Sequence, residues 1–213
     1  MEYFPYGDIE ITYLKSKDKI LGDAIDKIGF VRRNVNTDLL SSLVTSIIGQ
    51  QISISAAKTI NSRLTSKIGI ITASGIIGLG LEALQSCGIT MKKANYIYEL
   101  CHKIMNKEID LELLRNLNDD DVIKNLIKIK GIGKWTAEMF LISSLLRKNI
   151  ISFDDLAIHR GMRMLYNLDN INKETFSIYR DLYSPYATVA SIYLWQVASG
   201  KFGYIDPKQK QNN

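Results

Sequence analysis

Prolines stand at only three of the 213 positions, 5, 185 and 207, so nearly the whole chain is free of the residue that most reliably breaks a helix. Within that stretch the apolar residues recur at helical spacing. Asp18 to Ile28 carries Ile20, Leu21, Ala24, Ile25 and Ile28 on one face and runs into Gly29, a suitable C-terminal stop. Asp38 offers an N-cap for a helix through Ile48 halted by Gly49, and Ser53 opens another to about Ser66. Leu81 to Ser86 reads as a short helical turn. Met91 to Asn106 repeats Ala94, Ile97, Tyr98, Cys101, Ile104 and Met105 along one stripe, with Lys and Glu opposite. Further helices are expected over 119–128, 135–146, 157–165, 173–182 and 186–199. Ile9 to Leu14 alternates like a strand but stands alone, and the tail after Gly203 is expected to fray. The expected fold is therefore all-α, with a break around 67–80 separating two helical lobes of one unit spanning 1–213.

Composition narrows the class further. Apolar residues make up 46% and charged residues 23% of the chain, the balance of a globular rather than a disordered protein. No apolar run approaches the roughly 18 residues of a membrane span, and Met1 to Tyr13 lacks the basic-then-apolar pattern of a secretory signal. A cytoplasmic protein is expected. Two cysteines, Cys87 and Cys101, are too few for a disulfide framework, and no Cys/His spacing suits zinc or an iron–sulfur cluster. The 27 basic against 22 acidic side chains leave a net charge of +5, which permits a polyanionic partner without demanding one.

Two features carry chemistry. Ile129-Lys130-Gly131-Ile132-Gly133-Lys134-Trp135-Thr136-Ala137-Glu138 breaks one helix and starts the next, and its glycines allow a tight turn whose peptide N–H groups face outward at a helix start, a site for one phosphate. A plain helix–helix turn with capping glycines has the same pattern. Twenty residues beyond Trp135, Ile151-Ser152-Phe153-Asp154-Asp155-Leu156 sets two acids before a helix, where an Asp also serves simply as a cap.

Together, the hairpin, the Trp-Thr-Ala helix and an Asp at this distance resemble the helix-hairpin-helix (HhH-GPD) DNA glycosylases, in the 3-methyladenine glycosylase II branch. The likeness runs from about Leu39 to Gly200. It includes Leu43-Val44-Thr45-Ser46-Ile47-Ile48-Gly49-Gln50-Gln51-Ile52-Ser53 with Ala56-Ala57-Lys58, Gly88-Ile89-Thr90 with Lys92-Lys93-Ala94, and Pro185 with Trp195. The N-terminal sheet domain of some members is missing or reduced to a short extension over about 1–17. The resemblance implies a two-lobed fold with its active-site cleft between the lobes, a helix-hairpin-helix over about 119–146 and a frayed tail over about 204–213. It implies Asp155 as the catalytic carboxylate with Asp154 as structural neighbour, and Trp135, Trp195 and Met139 as the base pocket. Met139 stands where some relatives have Tyr. Lys130, Gly131, Ile132, Gly133, Lys134 and Thr136 would bind DNA phosphate, and Gln51, with Gln50, would fill the gap left by a flipped base. The carbonyls of Lys130, Gly131 and Gly133 would hold any monovalent Na+ or K+; no other cofactor and no iron–sulfur cluster is implied. The implied partner is double-stranded DNA containing damaged bases, met by a monomer at the nucleoid.

The chemistry suits one carboxylate. Cleaving an N-glycosidic bond builds oxocarbenium charge that a preorganised Asp stabilises, and an alkylated purine, already cationic, leaves neutral without a strong general acid. An indole face favours such a cation by roughly 0.5–2 kcal/mol. A Schiff-base mechanism would need Lys at 135, where Trp stands, and Lys134 is turned about 100° away on the helix. Tyr96, Tyr98 and Tyr193 are unassigned candidates for the pocket, His102 and His159 are expected at the surface or in caps, and Lys92 and Lys93 on the solvated face of their helix. The alternatives are a glycosylase for oxidised or deaminated bases, a non-catalytic helix-hairpin-helix DNA-binding module, and an all-helical interaction protein. A pure binder has no use for a carboxylate facing phosphate.

Overall fold

The structure, a computed structural model, describes residues 2–210. The chain divides into two compact units. Unit 1 is built from both ends, residues up to 35 and from 146 onward, and unit 2 is the continuous insertion 36–145.

The first part of unit 1 holds β1 (Glu2–Tyr3), α1 (Asp8–Lys17), α2 (Lys19–Ile28) and β2 (Asn34–Val35), the two short strands pairing antiparallel with Glu2 opposite Val35. The strand expected at Ile9 to Leu14 is instead the body of α1. Its alternation covers too few residues to define a period. Two local signals act the other way: the Gly7 amide donates to the Glu10 carboxylate at 3.0 Å, and acids in the first turn with lysines in the last complement the helix dipole. Asp18 then caps α2 through the Leu21 amide, and Gly29 ends it as expected.

Unit 2 follows with α3 (Leu39–Gly49), α4 (Ile54–Ile68), α5 (Ala73–Leu79), α6 (Leu81–Gln85), α7 (Met91–Met105), a 3-10 turn at Glu112–Asn116, α8 (Asp119–Leu126) and α9 (Lys134–Ser143). Asp38, Ser53, Thr72, Thr90 and Asn118 each accept an amide hydrogen bond at a helix start. The break expected at 67–80 is not a lobe boundary: α5 lies in it, nucleated by the Thr72 cap despite Gly75 and Gly78. The ends of the insertion meet, since the Asn36 amide donates to the Ser143 carbonyl at 2.9 Å and the buried Ser144 hydroxyl to Ser42 at 2.6 Å. Cys87 and Cys101 are buried free thiols, and burial pushes the Cys101 thiol up to about 12, which suits an inert core residue.

Unit 1 resumes with α10 (Leu156–Tyr166), α11 (Lys173–Tyr183), α12 (Ala187–Ala198) and α13 (Pro207–Lys210). Helices α10 and α12 pack closely enough that a Cβ at Gly161 would sit 2.2 Å from the Leu194 carbonyl oxygen, so only glycine fits there. Helix α12, nearly all apolar, is buried along almost its whole length with Val189, Ala190, Tyr193, Leu194 and Val197 in the core. The tail expected to fray is anchored: the buried Asp206 carboxylate takes a bidentate pair of bonds from Arg163 at 3.2 and 2.7 Å. Gln211, also part of that expected tail, lies outside the described residues. Among the described residues no helix is long and apolar enough to cross a membrane.

Candidate active site

In unit 1 the approach to Asp155 is fixed by hydroxyls of α12. The Ile150 amide donates to Thr188 Oγ1 at 2.9 Å, that hydroxyl donates to the Arg147 carbonyl at 2.7 Å, and Ser191 donates to the Ile150 carbonyl at 3.1 Å. Residues 150–152 are thereby buried against α12. Downstream, His159 Nε2 lies 2.7 Å from the Phe153 carbonyl and its ring packs with Phe153 and Phe176, so His159 braces the loop.

The Asp155 side chain ends up doing two things at once. One carboxylate oxygen accepts the Ala157 and Ile158 amides at 2.8 and 3.0 Å, capping α10, and the other accepts the Trp195 indole N–H at 3.3 Å. Capping is thus the means by which the carboxylate is aimed, not an alternative to a site. It sits at the positive end of α10, a stabilising place for negative charge, and is buried, while Asp154 beside it is exposed. Tyr193, two residues before Trp195, is fully buried in the core.

A third residue, unmarked in the sequence, joins this pair. The Arg33 guanidinium lies over the Trp195 ring, 4.7 Å from its centroid. Desolvation lowers its pKa from the ordinary arginine value, and the neighbouring Asp155 charge acts to raise it. No local pattern announces Arg33; its place comes from strand β2 and from the Phe4 amide, which donates to the Arg33 carbonyl at 2.8 Å.

Unit 2 carries the hairpin and the turn after α3. Gly131 has φ +87, and a Cβ there would meet the Tyr96 ring at 2.5 Å, so both backbone and space demand glycine. Helix α9 starts at Lys134 with Gly133 as its N-cap, and no side chain caps it. The Ile132 amide is spent within the turn on the Ile129 carbonyl, and the side chains of Ile132 and Thr136 are buried, so of the six expected phosphate residues these two contribute no exposed side chain. Lys130 pairs with Glu99 at 3.0 Å and Lys134 with Glu138 at 3.7 Å. Trp135 is 45% exposed on α9, with Met139 half-buried one turn on.

At the turn, Gln50 departs from expectation: its amide donates to the Gly131 carbonyl at 2.7 Å, tying the turn to the hairpin. Gln51 is the exposed tip, with a left-handed φ of 57°. Lys93, expected on a solvated face, instead donates to the Ile48 and Gln50 carbonyls at 2.9 and 2.5 Å and so closes the C-terminus of α3. Tyr96 packs against the hairpin and Tyr98 against His102. Two of the three carbonyls expected to face a cation already accept hydrogen bonds, Gly131 from Gln50 and Gly133 from the Ala137 amide, and we derive no step from a cation there.

Residues 44–185, which hold the turn, the hairpin and Asp155, match the family model described as HhH-GPD superfamily base excision DNA repair protein. The chain belongs to this superfamily. This HhH-GPD protein is 30% identical over 161 residues to DNA-3-methyladenine glycosylase 1 of Schizosaccharomyces pombe, covering 73% of this chain and 71% of that one. Among solved structures it resembles a DNA-3-methyladenine glycosidase from Bacillus halodurans with TM-score 0.84 and 32% identity, over 100% of both chains. It also resembles the Schizosaccharomyces pombe 3-methyladenine DNA glycosylase in complex with abasic DNA, with TM-score 0.78 and 26% identity, over 92% of this chain and 98% of that one. Arg33 and Trp195 lie outside the matched segment.

Proposed function

We propose that this base excision repair glycosylase hydrolyses the N-glycosidic bond of alkylated purines of the 3-methyladenine and 7-methylguanine type and leaves the abasic strand intact. The observation that carries this reading is the Asp155–Trp195 pair, a fixed carboxylate joined to an indole. Asp155 stabilises the oxocarbenium charge that grows on the sugar, or steers water to it, as the base departs. The indole face of Trp195 attracts a base that is cationic before cleavage and neutral after it, and Trp135 and the thioether of Met139 on α9 are the further residues proposed to touch the base. That change of charge supplies the leaving-group ability for which other glycosylases need an acid. The backbone of the Gly131–Gly133 turn and the start of α9 at Lys134, with Lys130, hold a DNA phosphate, and Gln51 enters the stack behind the extruded base.

Hydrolysis without strand cleavage is supported by the residue types: Trp135 occupies the position a Schiff-base lysine would need, and the ammonium of Lys134 is drawn to Glu138 one turn along its own helix. The reading is tested with duplexes that each carry one defined lesion. Release of methylated purines with intact abasic strands, and no adduct on borohydride reduction, is expected. A trapped adduct that requires Lys134 would mean a lyase, and preferential release of 8-oxoguanine or of hypoxanthine would transfer the assignment to oxidised or deaminated bases.

A further inference from the structure

The mechanism above leaves Arg33 unused, although it is the charged side chain lying on the indole face. Its backbone is firmly held. Besides the Phe4 bond, the Tyr6 hydroxyl donates to the Val31 carbonyl at 2.6 Å and accepts the Val31 amide at 3.1 Å, while its ring stacks on Phe30 at 4.8 Å between centroids. From this fixed base the long side chain reaches over Trp195, whose N–H is bonded to Asp155. A guanidinium is flat, delocalised and permanently charged. It therefore offers Trp195 the same kind of contact as a methylated purine cation.

We propose that Arg33 is an intramolecular occupant of the base-binding face of Trp195, displaced whenever a base enters. The proposal rests on the reading of Trp195 as a wall of the base pocket. Two consequences follow from elementary electrostatics and mass action. In the empty site the guanidinium offsets part of the Asp155 charge, so its departure with base entry exposes the carboxylate to the sugar at the moment it is needed. Displacement is also required of every ligand, whatever its charge, so Arg33 lowers the affinity for cationic and neutral bases by one common factor. It sets a threshold, not an order of preference. A cation–π contact of ordinary size makes that factor about 2- to 30-fold.

The experiment uses the full chain carrying Trp135→Phe, so that indole fluorescence reports Trp195 alone. It is titrated with 7-methylguanosine, below neutral pH where its ring is cationic, and with neutral guanosine. Arg33→Ala is expected to tighten both ligands by the same factor within that range, and Arg33→Gln to do likewise; Arg33→Lys, which keeps the charge but loses the flat stack, should fall between. Tightening confined to 7-methylguanosine would mean that Arg33 stays in place and repels cations, and unchanged or weaker binding of both would mean that it does not occupy the face; either result overturns the proposal. Because this readout needs no excision, a chain that released no lesion would refute the glycosylase reading while leaving the displacement of Arg33 measurable.

Discussion

Unit 1 and unit 2 expose different parts of the polypeptide. In unit 1 the atoms proposed to act are side-chain atoms: the Asp155 carboxylate, the Trp195 indole and the Arg33 guanidinium, brought together from three separate stretches of chain. In unit 2 the features proposed to act are mostly backbone: the start of α9, which no side chain caps, the left-handed Gly131 and the left-handed Gln51. The first unit should fail when an atom is exchanged, and the second when a shape is.

The largest effect is expected from Asp155→Asn. Asn caps helices about as well as Asp, so α10 should survive, although the Asn NH2 can no longer accept the Trp195 N–H and some stability is lost; loss of the charge and of that bond costs about 100-fold or more in single-turnover excision with DNA binding retained. Asp154→Asn, at an exposed position, should change neither stability nor rate appreciably, in contrast to its expected structural role. Full activity of Asp155→Asn would remove the contrast between the units.

Next comes Gly131→Val, which puts a β-branched residue at φ +87 and drives Cβ into the Tyr96 ring. Binding to lesion-bearing and undamaged duplex should weaken alike, by about 10-fold or more at moderate salt, with a shallower salt dependence as a phosphate contact is lost. A folded variant with unchanged binding isotherms would show that the hairpin is not the DNA grip.

The smallest effect tests a side chain that holds the turn from α7. Lys93→Met removes the donor from the Ile48 and Gln50 carbonyls, a loss of about 1–2 kcal/mol in local order. Excision of a well-paired lesion should slow about 3- to 10-fold, with no change for a lesion opposite an abasic site, where nothing must be unpaired. Equal slowing on both substrates would mean that Lys93 supports the fold generally rather than the turn.

Local chemistry was the legible part. The caps at Asp38 and Ser53 and the stop at Gly29 act over a few residues, and the helices they open or end appear where the spacing places them, whereas Gly49, expected to halt its helix, is the last residue of α3 and Gln50 follows it as the C-cap. The hairpin was legible for the same reason. Ile9 to Leu14 misled because six residues fit two periods, and the Gly7–Glu10 bond that decides between them leaves little trace in an apolar pattern. What could not be read was non-local. Nothing near Arg33 in sequence refers to Trp195, nothing near Lys93 refers to the carbonyls of α3, and Asp206 finds Arg163 only after the tail has turned back. Asp155 fell between these cases: its capping role was visible locally, whereas its bond to an indole forty residues away was not.

The nested course of the chain bears on how the protein is made. Unit 2 is one uninterrupted segment whose ends close on each other through Asn36 and Ser143, so it can condense as soon as it leaves the ribosome. The opening thirty-five residues have no such option. Their helices α1 and α2 pack on α12, which is synthesised near the end, and until then the apolar faces carrying Leu14, Leu21 and Ile25 stand exposed. A stalled or truncated chain would therefore contain a closed unit 2 and uncovered apolar faces on α1 and α2, and chaperones should hold such a chain by those two helices.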